Sequence, residues 1–266
     1  MNFKKPKPNN GPLLKVSDVS KTFGGVQALS NVSFNLEKGQ IMGVIGPNGS
    51  GKTTLVNAIT GFIRADSGAI EYQGRNILGM APHKIADLGL TRTFQVMRPY
   101  YSLPAYKNLI IPLFSPRARR TGGWRGGGKL GDRDTVAVDI LEEIGFERDS
   151  YVPYKSASSL PTGYLKRLEL ARCLALRPEV VICDEVFSGL SMSEMASMLP
   201  LMERLQMEGI TLIMVEHRLR ELFRLATRVI VLNFGRKIAE GVPDEVMEEP
   251  EVKEAYFGSE EVFSYV

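Results

Sequence analysis

The sequence predicts an α/β fold. Its core is a mostly parallel sheet around a phosphate-binding loop (P-loop), with an antiparallel β edge subdomain and an inserted helical subdomain. Three observations predict this. Ile41-Met42-Gly43-Val44-Ile45, short and apolar, runs into Gly46-Pro47-Asn48-Gly49-Ser50-Gly51-Lys52-Thr53 and then into a helical stretch to Thr60. From Val180 onward, strand-like and helix-like segments alternate, the pattern of parallel strands joined by helical crossovers. Between Met97 and Leu160 that alternation gives way to aromatics, prolines and a run rich in glycine and arginine.

In chain order, residues 1–11 are basic but lack the apolar stretch of a signal peptide. They are expected to form a flexible tail, frayed or touching anionic lipid. Leu13 to Phe23 and Val32 to Leu36 read as antiparallel strands, with turns at Gly24-Gly25 and Glu37-Lys38-Gly39-Gln40. Phe23, at a strand end, has two open roles: core packing, or stacking on an adenine ring.

Gly46 to Thr53 fits the pattern G-x-x-x-x-G-K-[ST]. Glycines let backbone N–H groups turn toward an anion, and the following helix adds its positive dipole end. Lys52 is expected to reach the β- and γ-phosphates and the Thr53 hydroxyl to ligate Mg²⁺, with Thr54 alongside. The expected ligands are a nucleotide and Mg²⁺.

Ala69-Ile70-Glu71-Tyr72 reads as a strand, His83 to Leu88 as a short helix and Thr91-Arg92-Thr93-Phe94 as strand-like, ending at Gln95. Residues 97–177 form the expected helical subdomain. Tyr100, Tyr101, Leu109, Ile110, Ile111 and Phe114 cluster near its start. Ser115 to Arg133 reads as a mobile glycine-rich, arginine-bearing loop, either solvated or docking on a partner or on phospholipid headgroups. Thr135 to Ile144 is an amphipathic helix stopped by Gly145, with Val136, Ile140, Leu141 and Ile144 on one face. In a second helix, Gly163 to Leu176, Leu168, Ala171, Leu174 and Ala175 are expected inward and Lys166, Arg167, Glu169 and Arg172 outward. The P-loop NTPase core therefore spans residues 12–96 and 178–241, and residues 242–266 read as C-terminal helices.

Composition narrows the class. A net charge of +3 is nearly balanced and gives no strong nucleic-acid footprint, so no nucleic-acid partner is expected. Cys173 and Cys183 fall in a predicted helix and a predicted buried strand, as reduced core thiols do. No apolar run approaches the roughly 20 residues that cross a bilayer.

The second chemical motif is Val180-Val181-Ile182-Cys183-Asp184-Glu185, an apolar strand ending in two carboxylates. Asp184 can hold Mg²⁺ through water, and Glu185 can polarise an attacking water as general base.

With these motifs placed, the chain from Leu13 to Gly258 resembles the ATPase subunit of an ATP-binding-cassette (ABC) transporter. The resemblance implies that the nucleotide is ATP and that Gln95 is the Q-loop glutamine, sensing the γ-phosphate and Mg²⁺. It implies that His217 is the switch histidine on the γ-phosphate and that Phe23 stacks on adenine. The catalytic set it implies is Glu185, His217, Gln95 and Lys52. The metal set is Thr53, Gln95 and Asp184. Leu160-Pro161-Thr162-Gly163-Tyr164 stands where the family reads Leu-Ser-Gly-Gly-Gln and binds the nucleotide held by the opposite subunit. Here Pro161 offers neither hydroxyl nor N–H. Val186 replaces a usual proline, and Ser191 stands where aspartate is common.

Thr22 to Leu29, Thr60-Gly61-Phe62, Pro82 to Gln95, Val215-Glu216-His217 and Pro250 to Gly258 resemble the ATPases of branched-chain amino acid importers. That subfamily also serves urea, amides and aromatic or short organic acids. The resemblance implies a second, unlike ATPase subunit, two membrane permease subunits, indirectly a solute-binding protein, and a peripheral place on the cytoplasmic face of the inner membrane. A lipopolysaccharide-export ATPase, a soluble non-transport ABC ATPase and a nucleotide-binding regulator are the alternatives.

Overall fold

A computed structural model describes residues 11–121, 133–147 and 150–257. Most of the basic tail, residues 122–132 of the glycine-rich insertion and the last nine residues lie outside the described residues. The chain divides into two compact units. One runs to Pro82 and resumes at Ala226; the other is His83–Leu225.

The first unit opens with β1 (Leu14–Phe23), β2 (Val26–Leu36), β3 (Ile41–Ile45), α1 (Lys52–Ile59), β4 (Ser67–Tyr72) and β5 (Arg75–Asn76). An antiparallel sheet has the order β2-β1-β4-β5. Leu14 sits opposite Leu36 on one side and Tyr72 on the other, and all three are buried. β2 starts at Val26 rather than at Val32. Gly24 and Gly25 take φ values of 51° and 87° and close the hairpin so tightly that Phe23 already pairs with Val26. Between Val26 and Asn31 only Leu29 is buried. The alternation that reveals a half-buried strand is therefore missing there.

The second unit holds α2 (Pro82–Leu88, whose first residue belongs to the first unit), β6 (Leu90–Arg92), α3 (Ile110–Leu113), α4 (Pro116–Arg120) and α5 (Arg133–Glu143). α6 (Thr162–Leu174), β7 (Val180–Asp184), α7 (Met192–Met207), β8 (Thr211–Val215) and α8 (Leu219–Leu225) complete it. Strands β8, β7 and β6 lie side by side and parallel. Every residue of β7 and β8 is buried, which is why these strands read as unbroken apolar runs.

The chain returns to the first unit with β9 (Arg228–Asn233), β10 (Arg236–Gly241), α9 (Pro243–Glu248) and α10 (Pro250–Phe257). β3 pairs with β9 in parallel, Val44 facing Ile230, and β10 adds antiparallel to β9.

Three expectations need correction. Lys166 and Glu169 of α6 point inward, 6 % and 3 % exposed, because this helix is enclosed on more than its apolar stripe. Arg117 belongs to the short helix α4, not to a solvated loop. Ser115 caps that helix by accepting the Ala118 N–H at 3.1 Å, and Pro116 opens it. The buried Arg117 guanidinium donates to the Leu88 carbonyl at 2.7 Å, the Arg177 carbonyl at 2.9 Å and Glu179 at 3.2 Å. Gly89 faces it, and a Cβ there would lie 2.4 Å from the guanidinium carbon. In α5, finally, Ala137 and Val138 are buried with Ile140 and Leu141, while Val136 is half-buried.

Among the described residues no helix is long and apolar enough to cross a membrane. Both cysteines are free and buried, and burial pushes the Cys173 thiol up to about 12.

Candidate functional site

The site residues fall in both units. In the first, β3 delivers the chain into Gly46 and α1 receives it at Lys52. Three loop glycines have positive φ: Gly46 at 144°, Gly49 at 77° and Gly51 at 103°. Two of them are also sterically required. A Cβ on Gly46 would lie 2.0 Å from the Leu232 carbonyl oxygen, and one on Gly51 would lie 2.6 Å from that of Ala28. The loop is thus wedged against β9 and β2, and its backbone path is fixed.

Lys52 is 6 % exposed. Its ammonium donates to the Gly46 carbonyl at 2.7 Å and the Pro47 carbonyl at 2.8 Å, with Ser50 Oγ at 3.4 Å. These bonds put a full positive charge at the centre of the turn. Ser50 is buried; Pro47 and Thr54 are half-buried, and Asn48, Gly49 and Thr53 face outward. The arrangement suits an anion: a wedged glycine turn, a central cation and a helix start without a side-chain cap. Phe23 is 47 % exposed, so it is not a core residue, and the Lys21 ammonium lies 5.2 Å from its ring centroid.

In the second unit the carboxylates close β7. The Glu185 carboxylate is held on both oxygens. Gln95 Nε2 donates to Oε2 at 3.0 Å, and His217 Nε2 lies 3.2 Å from Oε1, a hydrogen bond in the tautomer protonated at Nε2. Three residues 90 and 32 positions apart in the chain thus meet at one carboxylate. Asp184, 3 % exposed, pairs with Arg92 at 2.6 Å, and its N–H donates to the Thr93 hydroxyl at 3.0 Å. Burial raises the Asp184 pKa, opposed by the Arg92 charge, and burial likewise lowers that of Arg92. Desolvation disfavours both charges, and the ion pair is what retains them.

The signature segment begins α6. Pro161 is its N-cap residue and supplies no side-chain hydrogen bond. The Gly163 N–H instead faces the Glu194 carboxylate, whose pKa is lowered first by the Ser191 backbone N–H and hydroxyl. A Cβ at Gly163 would lie 2.2 Å from Glu194 Oε1. Gly163, Tyr164, Arg167 and Glu194 line a cavity of about 360 Å³ with Gly145 and Ser197. Leu160 is buried, while Pro161 and Thr162 are exposed.

Several residues near these groups carry no motif of their own. Arg92 could have been flagged as a basic residue inside a strand. Buried Lys166 and Glu216 could not, because charges beside apolar residues on a helix or at a strand end read as surface. Tyr256 of α10 is a further case: burial pushes its hydroxyl pKa up to about 12, opposed by the nearby Gly46 amide.

Comparison with known proteins identifies relatives along most of the chain. A family described as "ABC transporter" matches residues 29–188, and one described as "Branched-chain amino acid ATP-binding cassette transporter" matches residues 236–262. The high-affinity branched-chain amino acid transport ATP-binding protein BraF of Pseudomonas aeruginosa is 33% identical over 257 residues, covering 93% of this chain and 98% of the relative. The probable branched-chain amino acid transport ATP-binding protein LivG of Archaeoglobus fulgidus is 34% identical over 253 residues, covering 94% and 96%. The ADP conformation of MJ1267, an ATP-binding cassette of an ABC transporter, superposes with a TM-score of 0.79 at 30% identity, covering 92% of this chain and 98% of that one.

Proposed function

The chain belongs to the ABC transporter ATPase family, and from that premise we propose that its ATP hydrolysis drives import of branched-chain amino acids or a related small polar or organic solute. The observation that carries the catalytic part of this reading is the Glu185 carboxylate, gripped between Gln95 and His217 at 3.0 and 3.2 Å. A carboxylate oriented on both oxygens is suited to take a proton from a water attacking a γ-phosphate.

In this reading Gly46 to Thr54 wrap the triphosphate, Lys52 balances its charge and Phe23 stacks on the adenine. Thr53, Gln95 and Asp184 offer the hard oxygen donors that Mg²⁺ requires. Magnesium, when bound with the nucleotide, supplies charge neutralisation on the phosphates. Gln95 and His217 orient Glu185 and report the state of the γ-phosphate.

The permease is the membrane partner that the family implies. We further assign two permease subunits, a second and unlike ATPase, and a solute-binding protein acting through the permease, with this chain peripheral on the cytoplasmic face of the inner membrane. The unlike partner is supported by Pro161 and Thr162 in the signature, and by the Glu194 carboxylate packed against Gly163. A homodimer would carry that alteration at both nucleotide sites.

The test is isolation of the native complex through this chain, followed by subunit identification and an ATPase assay. Two permeases, a second ATPase and turnover stimulated by a branched-chain amino acid with its binding protein are expected. Full ATP-dependent dimerisation and turnover by the chain alone would overturn the heterodimer. Absence of any permease would overturn the transport reading.

A further inference from the structure

The general base sits on an unusual backbone. Glu185 has φ of 51°, in the left-handed region that costs a non-glycine residue about 1–2 kcal/mol. Such a conformation persists only where the surroundings over-determine it. On one side of Glu185, its own N–H donates to the Val215 carbonyl at 2.8 Å and so extends the pairing of β7 with β8. On the other side, two groups that the reaction does not call for hold the turn. The Lys166 ammonium donates to the Glu185 carbonyl at 2.8 Å. The Glu216 carboxylate accepts the Phe187 N–H at 3.0 Å.

Neither group has a surface role. Lys166 is 6 % and Glu216 2 % exposed. A buried ammonium and a buried carboxyl group each cost several kcal/mol unless they are compensated, so two such ionisable groups retained here require a function or a tight pairing. Lys166 lies in the combined field of Glu216, Glu185, Asp184 and Glu169, all of opposite sign. Of these, Asp184 is bonded to Arg92 and Glu169 to Arg172 and the Arg98 N–H. That leaves the turn at 185–187 as the structure on which Lys166 and Glu216 converge.

We propose that Lys166 and Glu216 are positioning residues for the general base, clamping the left-handed turn at Glu185 from the signature helix on one side and from the residue before His217 on the other. The clamp fixes where the Glu185 side chain leaves the backbone, and so keeps its carboxylate between Gln95 and His217. It also joins three functional segments mechanically. A shift of α6 pulls on the Glu185 carbonyl, and a shift of the 216–217 segment pulls on the Phe187 amide. This inference rests on the assignment of Glu185 as the base.

The experiment compares Lys166→Met, Lys166→Arg, Glu216→Ala, Glu216→Gln and Glu185→Gln, each in the native complex, for kcat, KM for ATP and equilibrium ATP affinity. K166M and E216A should lower kcat about 10-fold or more while ATP affinity changes less than about 3-fold, since a misplaced base costs the chemical step and not binding. K166R and E216Q, which keep the donor and the acceptor, should recover most of the loss. K166M placed on E185Q should add less than about 3-fold, because a clamp on an absent base has nothing to hold. Wild-type kcat in K166M, equal losses in kcat and ATP affinity, no rescue by K166R, or a full additional loss on E185Q would each overturn the clamp. Should K166M fail to fold, the K166M/E216Q pair removes both buried ionisable groups together and is held to the same criteria. Wild-type turnover in E185Q would instead overturn the base assignment, and so separates that failure from failure of the clamp.

Discussion

The phosphate-loop region and the carboxylate region are built in opposite ways. The loop between β3 and α1 is made of backbone. Two of its glycines, Gly46 and Gly51, are set by close approaches to Leu232 and Ala28, and its cation is held by carbonyls five and six residues away. The Glu185 region is made of side chains. Gln95, Arg92, Lys166, Glu216 and His217 reach it from three separate stretches of the sequence. A site built from backbone depends on a contiguous string and tolerates few changes within it. A site built from side chains depends on packing elsewhere and can fail from a distance.

The largest expected effect breaks the side-chain region from outside its motif. Arg92→Met should leave Asp184 buried without its cation and destabilise the protein by about 3–5 kcal/mol, read as a lower urea midpoint at unchanged slope. A midpoint within error of wild type would mean that Asp184 is compensated by another group.

Next is Glu185→Gln, which should preserve ATP binding and lower turnover about 10²-fold or more, roughly 2.7 kcal/mol of barrier. The matching change in the backbone region, Lys52→Ala, should do the reverse and weaken nucleotide affinity itself. Unchanged affinity, measured by calorimetry, would remove Lys52 from the binding role.

A pH experiment sharpens the contrast. Burial raises the Glu216 pKa from 4.5 to about 8. A carboxyl raised on folding favours the folded state while protonated. Its contribution is fully present below pH 4.5 and is lost as pH rises through about 8. Glu216→Gln should therefore flatten the stability decline across that window, as measured by denaturation at a series of pH values. A decline as steep as in wild type would assign it to other groups.

The smallest effect tests whether the backbone region is self-contained. Tyr256→Phe removes the buried hydroxyl beside the Gly46 amide and should weaken ATP binding by a few-fold, about 1 kcal/mol or less. No change would leave the loop independent of α10.

The fold was legible where the signals are local. β3, β7 and β8 announced themselves because strands buried on both faces are apolar without interruption. α5 and α6 were recognisable by period, but not which polar residues they bury. Lys166 and Glu169 occupy positions that periodicity assigns to solvent, and only the packing around α6 turns them inward. Arg117 reads as part of a glycine-rich loop because the stretch around it is rich in arginine and glycine. Its partners, Leu88, Arg177 and Glu179, lie at least 29 positions away.

By itself, the sequence determined the phosphate loop, the acidic strand end and the family to which they belong. Each of those is a short string whose chemistry is set by neighbouring residues: glycine conformations, one lysine, two adjacent carboxylates. Tertiary structure alone decided that Glu185 takes a left-handed turn, that Gln95 and His217 share its carboxylate, and that Lys166 and Glu216 bear on its backbone. Those relations join residues far apart in the chain. Local propensity carries no trace of them, because the free energy that selects them is desolvation and charge pairing inside the folded unit.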